Sequence, residues 1–211
     1  MIPTENEWMN ALDNRHGIEF QKKISSTAVA ICGLGGLGSN IATSLARAGI
    51  GKLILIDFDK VDITNLHRQQ YKINQIGMSK TEALQYNLKE INPYLEIKIY
   101  TIRLDESNAK DTLSDADIIC EAFDNAEAKA SIVNLVLSEM SEKYIVAASG
   151  MAGLGSANSI KTRKVSKRFY LCGDEVSDIN AGIGLVSTRV MLCAAHQAHT
   201  VLRIIAEEYE V

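Results

Sequence analysis

Apolar positions in this chain fall into short continuous runs separated by stretches of helical spacing. Thr27-Ala28-Val29-Ala30-Ile31-Cys32 is apolar almost throughout, as in a strand buried on both faces. Leu53–Asp57, Asp117–Ala122 and Tyr144–Ala148 read the same way, and Glu96–Tyr100 alternates like a half-buried strand. Between them lie helical segments. Ser39–Ala48 places Ile41, Leu45 and Ala48 on one side, with Gly49 suited to its C-terminal end. Ser79 is placed to cap a helix reaching Ile91, stopped by Asn92-Pro93. Asn125–Met140 reads as a further helix, and Glu5–Asn14 as a short one with Trp8, Met9 and Leu12 on one side. The stretch from about Ala181 to Glu208 is a long, mostly apolar helical region. It is more apolar than a solvated helix needs, so part of it is expected to pack on a partner subunit. Strands alternating with helices predict an α/β fold, a mainly parallel sheet flanked by helices.

Composition narrows the class without naming a function. The 211 residues suit one α/β domain, 1–211, and 46% hydrophobic residues allow a sizeable core. A formal charge of -4 gives no broad attraction to nucleic acid or an anionic membrane, so neither is expected as a partner. The chain opens on polar and acidic residues rather than a signal peptide, and no apolar run reaches the roughly 18 residues of a membrane helix. A cytoplasmic location is expected. The four cysteines, Cys32, Cys120, Cys172 and Cys193, include no Cys-x-x-Cys pair, and no structural disulfides are expected.

The first chemical signal follows the first strand. Gly33-Leu34-Gly35-Gly36-Leu37-Gly38 satisfies G-x-G-x-x-G between a strand and a helix, so Gly33, Gly35, Gly36 and Gly38 read as a phosphate-binding turn. Asp57 ends the next strand, about 20 residues on, where an acid binds ribose hydroxyls. The fold is therefore read as Rossmann-like. The pattern alone does not separate a dinucleotide from ATP.

A second group follows: Asp57-Phe58-Asp59, Asn65-Leu66-His67-Arg68-Gln69, Lys80, Asp124-Asn125, and Arg15 near the start. Two arginines, a lysine and a separate carboxylate are more than a nicotinamide cofactor requires, and they fit a triphosphate with a divalent metal. Together these residues resemble the ThiF/MoeB/HesA family, the prokaryotic relatives of ubiquitin-activating E1 enzymes, from about Arg15 through the final helix. The short length and the Cys172-Gly173-Asp174 and Ala194-Ala195-His196-Gln197-Ala198 segments look closest to the compact ThiF-like branch of thiamine biosynthesis.

That resemblance implies adenylation, with ATP, of the C-terminal glycine carboxylate of a ubiquitin-fold sulfur carrier such as ThiS. It implies that Asp57, with Asp59 beside it, binds the nucleotide's ribose. Asn65, Arg68 and Lys80 would contact the triphosphate, and Asp124 would hold Mg2+. Arg15 would reach a phosphate from the neighbouring subunit of a homodimer. The chemistry is compatible with this inventory, because a carboxylate nucleophile is already ionised near neutral pH and no general base is required. Competing readings are adenylation of another acceptor (a molybdopterin carrier or a tRNA base), an NAD-dependent oxidoreductase, or a non-catalytic binding partner. Residue by residue, Arg68, Lys80 and Arg15 also read as surface cations, Asn65 as a turn cap, and Asp124 as the N-cap of the helix that follows.

Departures from the family pattern add further expectations. Without two Cys-x-x-Cys pairs, no structural zinc is predicted, and Cys193, His196 and His199 read as a helix-packing face. Cys172 stands outside the apolar strands. Some relatives carry there a cysteine that forms a thioester or persulfide, and Lys164, Lys167 and Arg168 would favour its thiolate; a structural thiol is the competing reading. Lys129 stands near where relatives often have an arginine, and Gly150–Gly155 reads as a nucleotide or carrier contact, or as a plain turn.

Overall fold

The computed structural model describes residues 2–180 and 182–211. The four apolar runs and the alternating segment become five parallel strands, β1 (Ala28–Cys32), β2 (Lys52–Ile56), β3 (Glu96–Tyr100), β4 (Ile118–Glu121) and β5 (Tyr144–Ala148). Two more, β6 (Lys161–Ser166) and β7 (Phe169–Gly173), extend the sheet, which runs β3-β2-β1-β4-β5-β7-β6. β7 is parallel to β5, and β6 closes the edge antiparallel to β7.

Among the described residues, seven α-helices accompany the sheet: α1 (Glu5–His16), α2 (Ile18–Ser26), α3 (Gly36–Ala48), α4 (Lys80–Ile91), α5 (Ala109–Leu113), α6 (Ala126–Glu139) and α7 (Ser187–Ile205). The period-two alternation of the strands sorts their side chains between two cores. Val29, Ile31, Leu53 and Leu55 pack with residues of α3, α4 and α7, while Ala30, Cys32, Ile54 and Ile56 pack with α5 and α6. This two-sided burial explains why the strands read as continuous apolar runs rather than as alternating ones.

The differences from the sequence expectation are local. α3 starts at Gly36, three residues before Ser39, because the glycine turn feeds directly into it. α6 is capped by Asn125, whose Oδ1 accepts the Ala128 N–H at 2.9 Å, so Asp124 is not the cap. α7 spans Ser187–Ile205; Ala181, where the helical region was expected to begin, lies outside the described residues. Its Val190, Cys193, Ala194, Ala198 and Val201 enter the core shared with α3, which accounts for much of its apolar character, while Met191 and Leu192 are exposed. Among the described residues, no helix is long and apolar enough to cross a membrane.

The chain leaves β1 toward β2 on one side and β4 toward β5 on the other. Neighbouring β1 and β4 therefore make a topological switch point, and the crevice beyond their C-terminal ends is where open α/β sheets bind ligands.

Candidate functional site

The glycine turn lies in that crevice. Gly33 takes φ +93°, and a Cβ there would stand 2.9 Å from the Ala122 carbonyl oxygen, so the turn is pressed against the end of β4. A Cβ at Gly38 would run into the Gly33 carbonyl, and one at Gly36 would come within 2.9 Å of the Val190 side chain. Gly35 differs, since its Cβ would meet nothing nearer than Gln69 Nε2 at 3.7 Å. No side chain among the described residues caps the start of α3, which leaves its first-turn amides and the positive end of its dipole directed at the crevice.

The two acids after β2 do different work. Asp57 Oδ2 accepts the Leu34 N–H at 2.6 Å and Oδ1 accepts the Asp59 N–H at 2.8 Å. Asp57 is 8% exposed; burial raises its carboxyl, and the Lys80 ammonium at 4.0 Å and the two amides oppose that. Each of its oxygens holds the loop through one amide. Asp59 is exposed, and one of its oxygens accepts Lys80 Nζ at 2.7 Å. Lys80 is buried at the start of α4, and Tyr71 closes the same corner by donating to the Leu34 carbonyl at 2.8 Å.

Arg68 and Asn65 come from the turn between β2 and α4. Arg68 Nη2 donates to Asn65 Oδ1 at 3.0 Å, and its aliphatic stem lies against Gly36. Burial lowers the affinity of its guanidinium for the proton, and the charge of Asp124 counters this, so Asp124 sits within electrostatic reach. Arg68 Nε and Gln69 Oε1 are buried with no hydrogen-bond partner among the described residues. Native structures rarely leave such groups unpaired, and a bound polar ligand is one way to satisfy them. Asp124 itself is exposed just beyond β4.

No group of three or more His, Cys, Asp and Glu suited to a metal exists among the described residues. A single exposed carboxylate just beyond β4, within electrostatic reach of Arg68, nevertheless fits Mg2+, which commonly takes one or two carboxylates and completes its shell with nucleotide phosphates and water.

Two residues, Cys172 and Lys129, are placed differently from expectation, and a third, Arg15, stands apart from its own chain's crevice. Cys172 is not in a loop but inside β7, fully buried, with its thiol pushed up to about 11 by burial. Its neighbours are Thr162 and Thr200 rather than the lysines; their hydroxyls favour a thiolate but burial outweighs them, so the structure places a structural thiol where a catalytic one was expected. Lys129 is bound to Glu121 Oε1 and Oε2 at 2.8 and 2.9 Å instead of facing the phosphate turn. Arg15 is exposed at the end of α1. Adjacent His16 bonds Gln21, which donates to the Gly49 carbonyl at the far end of α3, about 20 Å of helix from the glycine turn. Arg15 therefore does not enter the site of its own chain.

One structural organiser was missed. Arg189, buried in α7, donates to the carbonyls of Ala152, Gly155 and Ser156 and pairs with Asp174, tying the loop after β5 to the loop after β7. Its only signal in the sequence was a cation in the first turn of a mostly apolar helix. Beside this tie Ala152, Gly153, Leu154, Val176, Ser177, Asp178 and Ile183 line a cleft of about 320 Å³, with Leu154, Val176 and Ile183 exposed.

A Rossmann-like sheet, an uncapped glycine-to-helix turn and clustered acid, lysine and arginine define a nucleotide-binding α/β protein. The chain belongs to the ThiF family, whose model matches residues 10–211. It is 40% identical over 114 residues to adenylyltransferase and sulfurtransferase MOCS3 of Caenorhabditis briggsae, covering 54% of this chain and 28% of that protein. Ubiquitin-like modifier-activating enzyme 5 of Caenorhabditis elegans is 37% identical over 146 residues, covering 64% and 35%. The chain thus spans about a quarter to a third of the length of these relatives. Among solved structures, the E. coli tRNA N6-threonylcarbamoyladenosine dehydratase TcdA, in complex with ATP, shares the fold with a TM-score of 0.86 at 18% identity, covering 99% of this chain and 98% of that one. E. coli MccB with ATP has a TM-score of 0.69 at 21% identity, covering 92% and 60%.

Proposed function

We propose that this chain is a single ThiF-type adenylation domain that uses ATP to activate the C-terminal carboxylate of a ubiquitin-fold carrier protein. The observation that carries this reading is the set of contacts around the glycine turn: Lys80 lies against Asp59 and Asp57, Asp57 accepts the Leu34 N–H, and Arg68 lies against Gly36 with the charge of Asp124 acting on it. Family membership and relatives named as adenylyltransferases and as a ubiquitin-like modifier-activating enzyme support it. The ThiS-like carrier expected from sequence is one member of this acceptor class. The relatives' names support ubiquitin-like modifiers and sulfur transfer more broadly than thiamine synthesis. A nicotinamide reading leaves Arg68, Lys80 and Asp124 without a task.

In the proposed reaction a carrier carboxylate oxygen attacks the α-phosphorus of ATP. The bond to the β-phosphate bridging oxygen breaks, giving an acyl-adenylate and pyrophosphate, and no proton is transferred. The α3 amides and glycine turn would hold phosphate oxygens, while Asp59 and the remaining lone pairs of Asp57 would accept the ribose hydroxyls. Arg68 and Lys80 would offset charge on the phosphates as it shifts toward the departing pyrophosphate. When bound at Asp124, Mg2+ would supply Lewis-acid neutralisation of that charge. The cleft beside Gly153 and Leu154, lined by both apolar and polar residues, offers an approach for an extended carrier tail. Arg15 would act across a homodimer.

The test is ATP–pyrophosphate exchange with purified chain, Mg2+ and a panel of carriers that includes a ThiS-like one. Carrier-dependent exchange is expected; tight ATP binding without exchange for any carrier would defeat the reading.

A further inference from the structure

A buried ion pair beneath the Asp124 loop has no part in this scheme. Glu121 is the last residue of β4, and its side chain is 1% exposed. Both of its oxygens receive the Lys129 ammonium from the first turn of α6, and Oε1 also accepts the Phe123 N–H at 2.7 Å. One carboxylate therefore grips the loop on its way in, at Phe123, and on its way out, at Lys129. Asp124 lies between these holds. Gln197 of α7 fixes the same strand end from the other core, donating to the Glu121 and Val146 carbonyls at 3.0 and 3.1 Å. The intervening Ala122 donates its N–H to Cys32 at 2.8 Å and rests its carbonyl against Gly33. The loop and the phosphate turn are thus registered to each other through this clamp.

Stability alone gives little reason for such an arrangement. Taking two ions out of water is costly, and a well-packed apolar pair of similar volume often serves the core as well or better. What the pair adds is direction: a bidentate grip sets where the loop backbone runs.

We propose that Glu121 and Lys129 are positioning residues that hold Asp124 at the metal-and-phosphate end of the site. This rests on the adenylation reading, in which Asp124 faces a divalent cation bound with ATP. Outer partners of metal ligands act in this way, and their loss typically costs about 10–100-fold in metal affinity.

The experiment measures ATP affinity of the full chain by calorimetry, once with chelator and once with Mg2+, and follows Mn2+ uptake in the presence of ATP by electron paramagnetic resonance. The variants are Glu121→Leu/Lys129→Met, which replaces the pair with apolar volume, Glu121→Gln and Lys129→Arg. The double variant should bind metal-free ATP nearly as the parent does and lose about tenfold or more of the metal-dependent gain. Lys129→Arg, which keeps a bidentate cation, should retain that gain. If the double variant fails to fold, Glu121→Gln carries the same expectation. An undiminished metal-dependent gain in the double variant or in Glu121→Gln overturns the proposal. Equal loss of metal-free and metal-bound affinity also overturns it, by showing a purely structural role. If the parent chain itself shows no metal-dependent gain, the adenylation reading fails at its root, a result distinct from failure of the pair.

Discussion

The Asp57 carboxylate accepts the Leu34 amide at 2.6 Å, so the acid that ends the second strand braces the glycine turn from inside the protein. Asp57→Ala should therefore act first on stability. Losing a hydrogen bond to a charged group is worth about 1.5–3 kcal/mol, measurable by denaturant unfolding. Asp59→Ala should leave unfolding within about 0.5 kcal/mol of the parent, as for a surface change, and weaken ATP binding. Equal destabilisation by both would contradict this division.

The glycines divide in a similar way. Gly38→Ala forces a methyl into the Gly33 carbonyl and should prevent correct folding of the turn. Gly35→Ala meets only an ordinary contact at 3.7 Å, so the melting temperature should shift by no more than about 2–4 °C, the equivalent of about 1 kcal/mol. Its ATP affinity should fall, because the added methyl obstructs close approach of phosphate to backbone. Thermal melts with and without ATP separate the two effects.

The buried Arg189–Asp174 pair gives a pH signature. Burial raises the Asp174 carboxyl, but the amides of Ser177 and Val176 and the Arg189 guanidinium outweigh it and hold the group at about 2. A carboxyl depressed on folding contributes stability above the unfolded value of about 4 and loses it as pH falls through about 2. Asp174→Asn should cost about 3–5 kcal/mol at pH 7, as expected for a broken buried pair. Its difference from the parent should shrink between about pH 4 and pH 2. Unfolding curves across that range check both the size and the sign.

Arg15 stands away from its own site, so its contribution is expected in trans. Mixing Arg15→Ala with Arg68→Ala chains should restore activity to about one site in a mixed dimer, whereas each alone is impaired. Analytical ultracentrifugation of the mixture supplies the oligomeric state. Absence of complementation by a demonstrated mixed dimer would remove Arg15 from the mechanism.

The strands around the switch point were legible because burial on both faces leaves unbroken apolar runs, as in Ala28–Cys32. β6 was not, because an edge strand tolerates the charges of Lys161, Arg163 and Lys164, which read as a loop. Phe169–Gly173, the strand between β5 and β6, also went unread, which left Cys172 outside the strands read from the sequence. The chemical inventory was readable as residue types at fixed spacing. The division of labour between Asp57 and Asp59 was not, since it depends on the Leu34 amide 23 positions away. The pairing of Lys129 with Glu121 was equally hidden, because it depends on how α6 folds back over the end of β4.

The most direct measurement is intact-mass analysis of a ubiquitin-fold carrier after incubation with the chain, ATP and Mg2+. The account predicts a carrier species heavier by one adenylate, formed with pyrophosphate release and lost in Arg68→Ala and Asp124→Ala. An unmodified carrier throughout a panel that binds the chain, with ATP bound but uncleaved, would contradict it.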